Sequence, residues 1–189
     1  MSRRIVVGIT GATGQIFGVR TLELLGEVDV ESHLIVSDAA KITLNNELNS
    51  ELSDITSLAD HVHEPKDIGA QPASGSFQTT GMIVTPCSMK TLSNIAHGNS
   101  GNLITRSADV TLKERRPLLL MPREKPFNRI HLKNMLEITN AGGIIMPPFP
   151  SYYQNLDSID EMVTRTVARS LTYFDIDAEF EEWSGLQDP

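Results

Sequence analysis

At 189 residues the chain has the length of one domain, and a chain of this size buries about 70% of its unfolded surface, enough for a substantial core. With 40% hydrophobic and 21% charged residues, no repeat and no low-complexity tract, its composition excludes fibrous, solenoid and disordered classes. A net charge of −8 argues against a broad nucleic-acid-binding face, and the lone cysteine, Cys87, excludes an internal disulfide.

Met1-Ser2-Arg3-Arg4 followed by Ile5-Val6-Val7-Gly8-Ile9 imitates the start of a signal peptide. The apolar run is too short for one, and Thr10-Gly11-Ala12-Thr13-Gly14 interrupts it, so a first strand is expected instead. No stretch approaches the roughly 20 apolar residues that span a bilayer, so a cytoplasmic protein with no membrane partner is expected. Further strands are expected at His33 to Val36, Met82 to Thr85, Leu118 to Met121 and Ile144 to Met146. Helical spacing runs through Phe17 to Leu25, Ala39 to Leu48, Met89 to His97, Leu103 to Arg115 and His131 to Asn140. Gly98 and Gly142 fall where helices end, and a last helix runs from about Asp157 to Tyr173, with Asp160 and Glu161 at its positive end. The alternation predicts a single-domain α/β fold, a Rossmann-like parallel sheet with helices on both faces, over residues 1–178. Residues 179–189 read as an acidic tail or edge contact.

The chemistry-bearing strings lie at the expected strand ends. Gly8-Ile9-Thr10-Gly11-Ala12-Thr13-Gly14, with Gly18 beyond, follows the first strand and opens a helix, where glycines admit a ligand and unpaired N–H groups meet phosphate. Short-chain dehydrogenases use a similar string, but they need a tyrosine followed four positions on by lysine. Here Tyr152, Tyr153 and Tyr173 are followed by Leu156, Asp157 and Asp177. Ser37 stands where dinucleotide enzymes often carry an acid, and it serves equally as a helix N-cap. Pro86-Cys87-Ser88-Met89-Lys90-Thr91 places hydroxyls and amides at a strand-to-helix turn, with Cys87 read as a packing residue rather than a nucleophile. His61-Val62-His63 would point two imidazoles to one side of a strand, but no Cys or acid cluster accompanies them at ligand spacing, so no metal is expected. Between Lys113 and Lys133 lie seven of the sixteen Lys and Arg against two acids, Glu114 and Glu124, a basic region in an acidic body that suits a small anion. On a helix Arg106, Asp109 and Lys113 share a face, which reads either as an anion site or as a surface ion-pair ladder.

Taken together, these strings resemble the UbiX-type flavin prenyltransferases, from Ile5 to about Phe174. The resemblance implies a Rossmann-like flavoprotein that binds FMN, assembles as a homododecamer and moves a dimethylallyl group from dimethylallyl phosphate to reduced FMN. The product would serve a separate UbiD-type decarboxylase. It assigns Gly11, Ala12, Thr13, Ser37, Ser88, Met89, Lys90, Thr91 and Arg123 to FMN. It places Glu47, Arg106, Lys113, Glu124, Tyr153 and Arg169 around the prenyl phosphate, with Glu47, Lys113 and Glu124 as catalytic groups and Glu47 supplied by a neighbouring subunit. Thr13 stands where many relatives have serine, Ile68 near a position often aromatic, and Ser107 in place of a usual alanine. Two other readings share the fold: an FMN-dependent decarboxylase, whose catalytic histidine and clamping motif are not found, and a non-catalytic flavin-binding partner.

Overall fold

Six short runs form strands in the computed structural model, which describes residues 3–152, 156–180 and 185. They are β1 (Arg3–Ile9), β2 (Val30–Val36), β3 (His61–His63), β4 (Gly81–Cys87), β5 (Leu118–Pro122) and β6 (Ile144–Ile145). All pair in parallel, in the order β3-β2-β1-β4-β5-β6. The helices are α1 (Gln15–Gly26), α2 (Asp38–Leu48), α3 (Leu52–Thr56), α4 (Met89–Ala96), α5 (Leu103–Lys113), α6 (Arg129–Asn140) and α7 (Ile159–Leu171). This is the Rossmann-like single domain expected, and the strand order reverses between β1 and β4.

A strand sends successive side chains to opposite faces, so each buried strand feeds two cores. Ile5, Val7 and Ile9 join Leu34, Ile83 and Leu119 beneath α1, α2 and α7. Val6, Met82, Val84, Leu118 and Leu120 join Leu92, Leu103, Ile104 and Ile138 beneath α4, α5 and α6. Each such side chain fully buried is worth about 1.5–3 kcal/mol, which is why the strands read as continuous apolar runs. α1 lies close on the sheet because Gly18 has no side chain: a Cβ there would stand 2.7 Å from the Thr85 carbonyl oxygen.

Caps set most helix limits. Ser158 accepts from the Glu161 N–H and starts α7 two residues later than the sequence suggested, while Asp160 and Glu161 occupy its first turn. Asn128 and His131 form a reciprocal capping box, which moves the start of α6 back to Arg129. Gly98 and Gly142 take φ of +68° and +93° just past α4 and α6, the left-handed conformation that ends a helix. Elements not expected include α3 and a 3-10 turn at Gln71–Ala73. Of the region read as a tail, Phe180 is half-buried and packs against the core, while 181–184 and 186–189 lie outside the described residues. Among the described residues no helix is long and apolar enough to cross a membrane.

Ser107, the departure from alanine, is 1% exposed in α5, and its hydroxyl has no hydrogen-bond partner. An unsatisfied buried hydroxyl costs about 1–3 kcal/mol, and alanine is the better helix former. Ser107→Ala should therefore stabilise the chain by about 1 kcal/mol, raising the thermal midpoint by about 2–4 °C in a calorimetric scan. A lowered midpoint would show that this hydroxyl is satisfied in solution.

Candidate functional site

The carboxyl ends of β1 and β4 diverge at the point where the strand order reverses, and the turn from Thr10 to Gly14 crosses the gap. Thr10, 1% exposed, fastens it. Its N–H and its hydroxyl both donate to the Pro86 carbonyl (3.2 and 2.7 Å), and the hydroxyl oxygen accepts from the Ser88 N–H at 2.8 Å. Gln15, fully buried, closes the turn from within by donating to the carbonyls of Thr10 and Ala12 at 2.8 and 2.6 Å. The sequence reading missed both as site-forming residues; the available signal was a hydroxyl and an amide bracketing a glycine-rich turn.

Gly14 is the N-cap of α1 at φ +93°, a conformation that a side chain rarely adopts. Gly11 lets the turn touch α2, since a Cβ there would lie 2.5 Å from the Ala39 Cβ. An oxyanion already occupies the start of α1: Glu47 Oε2 accepts from the N–H groups of Gly14 and Gln15, both at 2.9 Å. Within its own chain Glu47 reaches the start of α1 from the last turn of α2. There the carboxylate opposes the dipole of its own helix and complements that of α1.

Three further groups face the same opening. Ser37, at the end of β2, is tied to β1 by its N–H on the Ile9 carbonyl (3.0 Å) and caps α2 by accepting from the Ala40 N–H. Ser88 caps α4, accepting from the Thr91 N–H and lying 3.1 Å from the Thr91 hydroxyl, with half-buried Met89 and exposed Lys90 beside it. Arg123 follows β5, its N–H on the Cys87 carbonyl at 3.2 Å, and its stem passes next to Gly14. Glu124 is exposed beside it and accepts from the Lys125 N–H at 3.0 Å. Gly11, Ala12, Thr13, Ser37, Ser88, Met89, Lys90, Thr91 and Arg123 thus converge. Four hydroxyl residues, Thr13, Ser37, Ser88 and Thr91, and one arginine around a glycine turn fit the polar edge of a flavin mononucleotide. Cys87 lies under this floor, fully buried, and burial pushes its thiol up to about 12, so it packs and does not attack.

The remaining expected residues do not join them within one chain. Lys113 ends α5 and pairs with Glu114, whose carboxyl it holds below the usual range, against Gly75 in the loop that enters β4. Arg169 ends α7, donates to the Thr172 hydroxyl at 2.7 Å and stacks over Tyr173 and Phe180 at 5.1 and 5.4 Å. The adjoining Phe174 packs on Gly81, the first residue of β4, and Asp175 accepts from Arg3, the first residue of β1. Lys113 and Arg169 therefore lie at the amino-terminal end of the sheet, opposite the crevice. Arg106 pairs with Asp109 at 2.8 Å and donates to the Ala73 carbonyl, the surface ion-pair alternative. Tyr153 lies outside the described residues.

A profile of the flavoprotein family matches residues 1–170. The flavin prenyltransferase UbiX of Neisseria meningitidis is 48% identical over the whole of both chains. The chain belongs to the UbiX family of flavin prenyltransferases. A UbiX crystal structure in complex with FMN and dimethylallyl pyrophosphate superposes with a TM-score of 0.96 at 47% identity, covering 99% of this chain and 100% of that one. A dodecameric FMN-dependent UbiX-like decarboxylase from Escherichia coli O157:H7 superposes at 0.93 with 44% identity, covering 96% and 100%.

Thr10→Val keeps the shape of the pin but leaves the half-buried Ser88 N–H without its acceptor. Urea unfolding should show a loss of about 1–3 kcal/mol, accompanied by weaker FMN binding in a fluorescence titration. Unchanged FMN affinity would mean that this pin does not shape the crevice.

Proposed function

We propose that the chain is a flavin prenyltransferase, transferring a dimethylallyl group from dimethylallyl phosphate to reduced FMN and making a prenylated flavin for a separate UbiD-type decarboxylase. The observation that carries this reading is the carboxylate of Glu47 seated on the Gly14 and Gln15 amides at the strand-order reversal, beside Ser37, Ser88 and Arg123. With that seat filled by the chain's own carboxylate, Ser37, Ser88 and Arg123 are left to meet an incoming anion. The neutral Ser37, where a dinucleotide enzyme often carries an acid, favours a mononucleotide. Bound reduced FMN supplies the nucleophilic ring positions; the chain supplies position and charge.

Arg123 neutralises anionic charge at the crevice, and Glu124 beside it can hold or pass a proton as the leaving phosphate departs. Lys113 and Arg169 face away from that crevice in their own chain, so in this reading other subunits of a homo-oligomer deliver them to the prenyl phosphate, with Tyr153. The dodecamer of the E. coli relative provides a precedent for such an assembly. The reading places the protein in the cytoplasm, where a single unpaired thiol stays reduced.

Anaerobic incubation of the purified chain with reduced FMN and dimethylallyl phosphate should yield a flavin heavier by one dimethylallyl group in mass spectrometry. An unmodified flavin would remove the proposal. Arg169→Ala should lower turnover of dimethylallyl phosphate about ten- to a hundredfold with FMN affinity unchanged, as expected when one charge-assisted hydrogen bond is lost. Co-assembly of Arg169→Ala with Arg123→Ala subunits should restore turnover above either variant alone. Failure to complement would place both arginines in one subunit's contribution.

A further inference from the structure

Apart from the crevice, the fold gathers a second cluster of ligating side chains at the β3 edge of the sheet. β2 and β3 pair with His33 opposite His61 and Ile35 opposite His63. The period of two then puts Glu31, His33, His61 and His63 on one face. The acid missing from His61-Val62-His63 in the sequence is thus supplied by the neighbouring strand, thirty residues earlier. Glu31 Oε1 lies 3.1 Å from His33 Nε2 and 3.1 Å from His61 Nε2, and the three ligating atoms fall within 4.8 Å of one another. We propose that Glu31, His33 and His61 form a site for a divalent transition-metal ion of the zinc class, clamping the edge strand β3 onto β2.

Ligand bonds of about 2.0–2.2 Å at tetrahedral angles put ligand atoms about 3.3–3.5 Å apart, so the two 3.1 Å separations need to open by only a few tenths of an ångström. Two imidazoles and one carboxylate select zinc, cobalt, nickel or copper over magnesium or calcium, which prefer oxygen ligands. The outer partners are in place. Arg4 holds the other Glu31 oxygen, Oε2, at 2.9 Å. His63 Nε2 stands 2.9 Å from His33 Nδ1, so a proton on that Nδ1 can be donated to His63 while Nε2 presents its lone pair to the metal.

Metal-free, the His33 and His61 Nε2–H groups can donate to Glu31 Oε1, and the His63 Nε2–H to His33 Nδ1. On loading, each ring's proton moves from Nε2 to Nδ1, so neutral rings lose no net proton. His33 and His61 are stacked, with centroids 4.7 Å apart and planes 23° apart, so the His61 ring must tilt to point at a shared ion. It can do so because His61 is half exposed, and the same opening admits the ion and a water for the fourth position. Ser37 at the crevice is four residues beyond His33, about 13 Å along the strand, so the ion does not serve the flavin chemistry.

The test is titration of the untagged, metal-stripped full chain with Co²⁺, followed by visible absorption, and with Zn²⁺ by calorimetry. One ion per chain is expected, with the intense visible bands of four-coordinate cobalt and a Zn²⁺-dependent rise in thermal midpoint. His61→Ala, an exposed edge substitution, should weaken binding more than tenfold and abolish the midpoint rise. His63→Gln should weaken it about ten- to a hundredfold, while His97→Ala, on α4's C-terminal side, should leave it unchanged. Absence of a cobalt spectrum, or binding that His61→Ala leaves intact, would overturn the proposal.

Discussion

The Thr10 hydroxyl sits between two strands that parallel pairing alone would leave to separate. Beyond Val84 the register of β4 shifts against β5, and the ladder between β1 and β4 has ended at Gly8 and Val84. From there on, one buried side chain holds the Pro86 carbonyl and the Ser88 N–H to the end of β1. The position of Ser88 fixes the start of α4, and the position of Gly11 fixes where α2 passes. The flavin site is therefore suspended from an interaction that itself faces no ligand. Because a hydrogen bond buried this way costs most when only one partner is removed, a subtle change at Thr10 should reach the site more strongly than a larger one on its rim.

Charge in this chain is divided between the ends of the sheet. Arg123 and Glu124 follow β5 at the carboxyl end, whereas Lys113, Arg116 and Arg169 lie at the amino end, engaged with Glu114, backbone carbonyls and aromatic rings. A basic cluster in sequence became two separate groups in space because the β5 strand carries the chain from one end of the sheet to the other. The same reversal of direction explains how residues of one proposed pocket can belong to different subunits.

The strands were legible because burial on both faces leaves continuous apolar runs such as Leu118-Leu119-Leu120-Met121. The grouping of Gly11, Ser37, Ser88 and Arg123 was legible for a related reason: each follows a strand, and a parallel sheet brings all such positions to one edge. The position of Lys113 and Arg169 at the opposite end of the sheet was not, because α5 and α7 carry them at their last turns, a direction that periodicity does not reveal. Thr10 and Gln15 escaped notice since their value lies in backbone groups 76 and 78 residues away or hidden inside a turn. Glu31 and His33 gained meaning only from the register that sets them against β3, a non-local fact.

Cys87 ends β4 directly beneath the crevice, sealed from solvent, with its thiol held in the protonated form. Reduced flavins react with dioxygen and release peroxide, which attacks thiolates and spares thiols that are neutral and inaccessible. A chain that handles reduced FMN thus carries its one sulfhydryl where oxidation to sulfenic acid is suppressed, so exposure to air should exhaust the flavin and leave the polypeptide undamaged at this position.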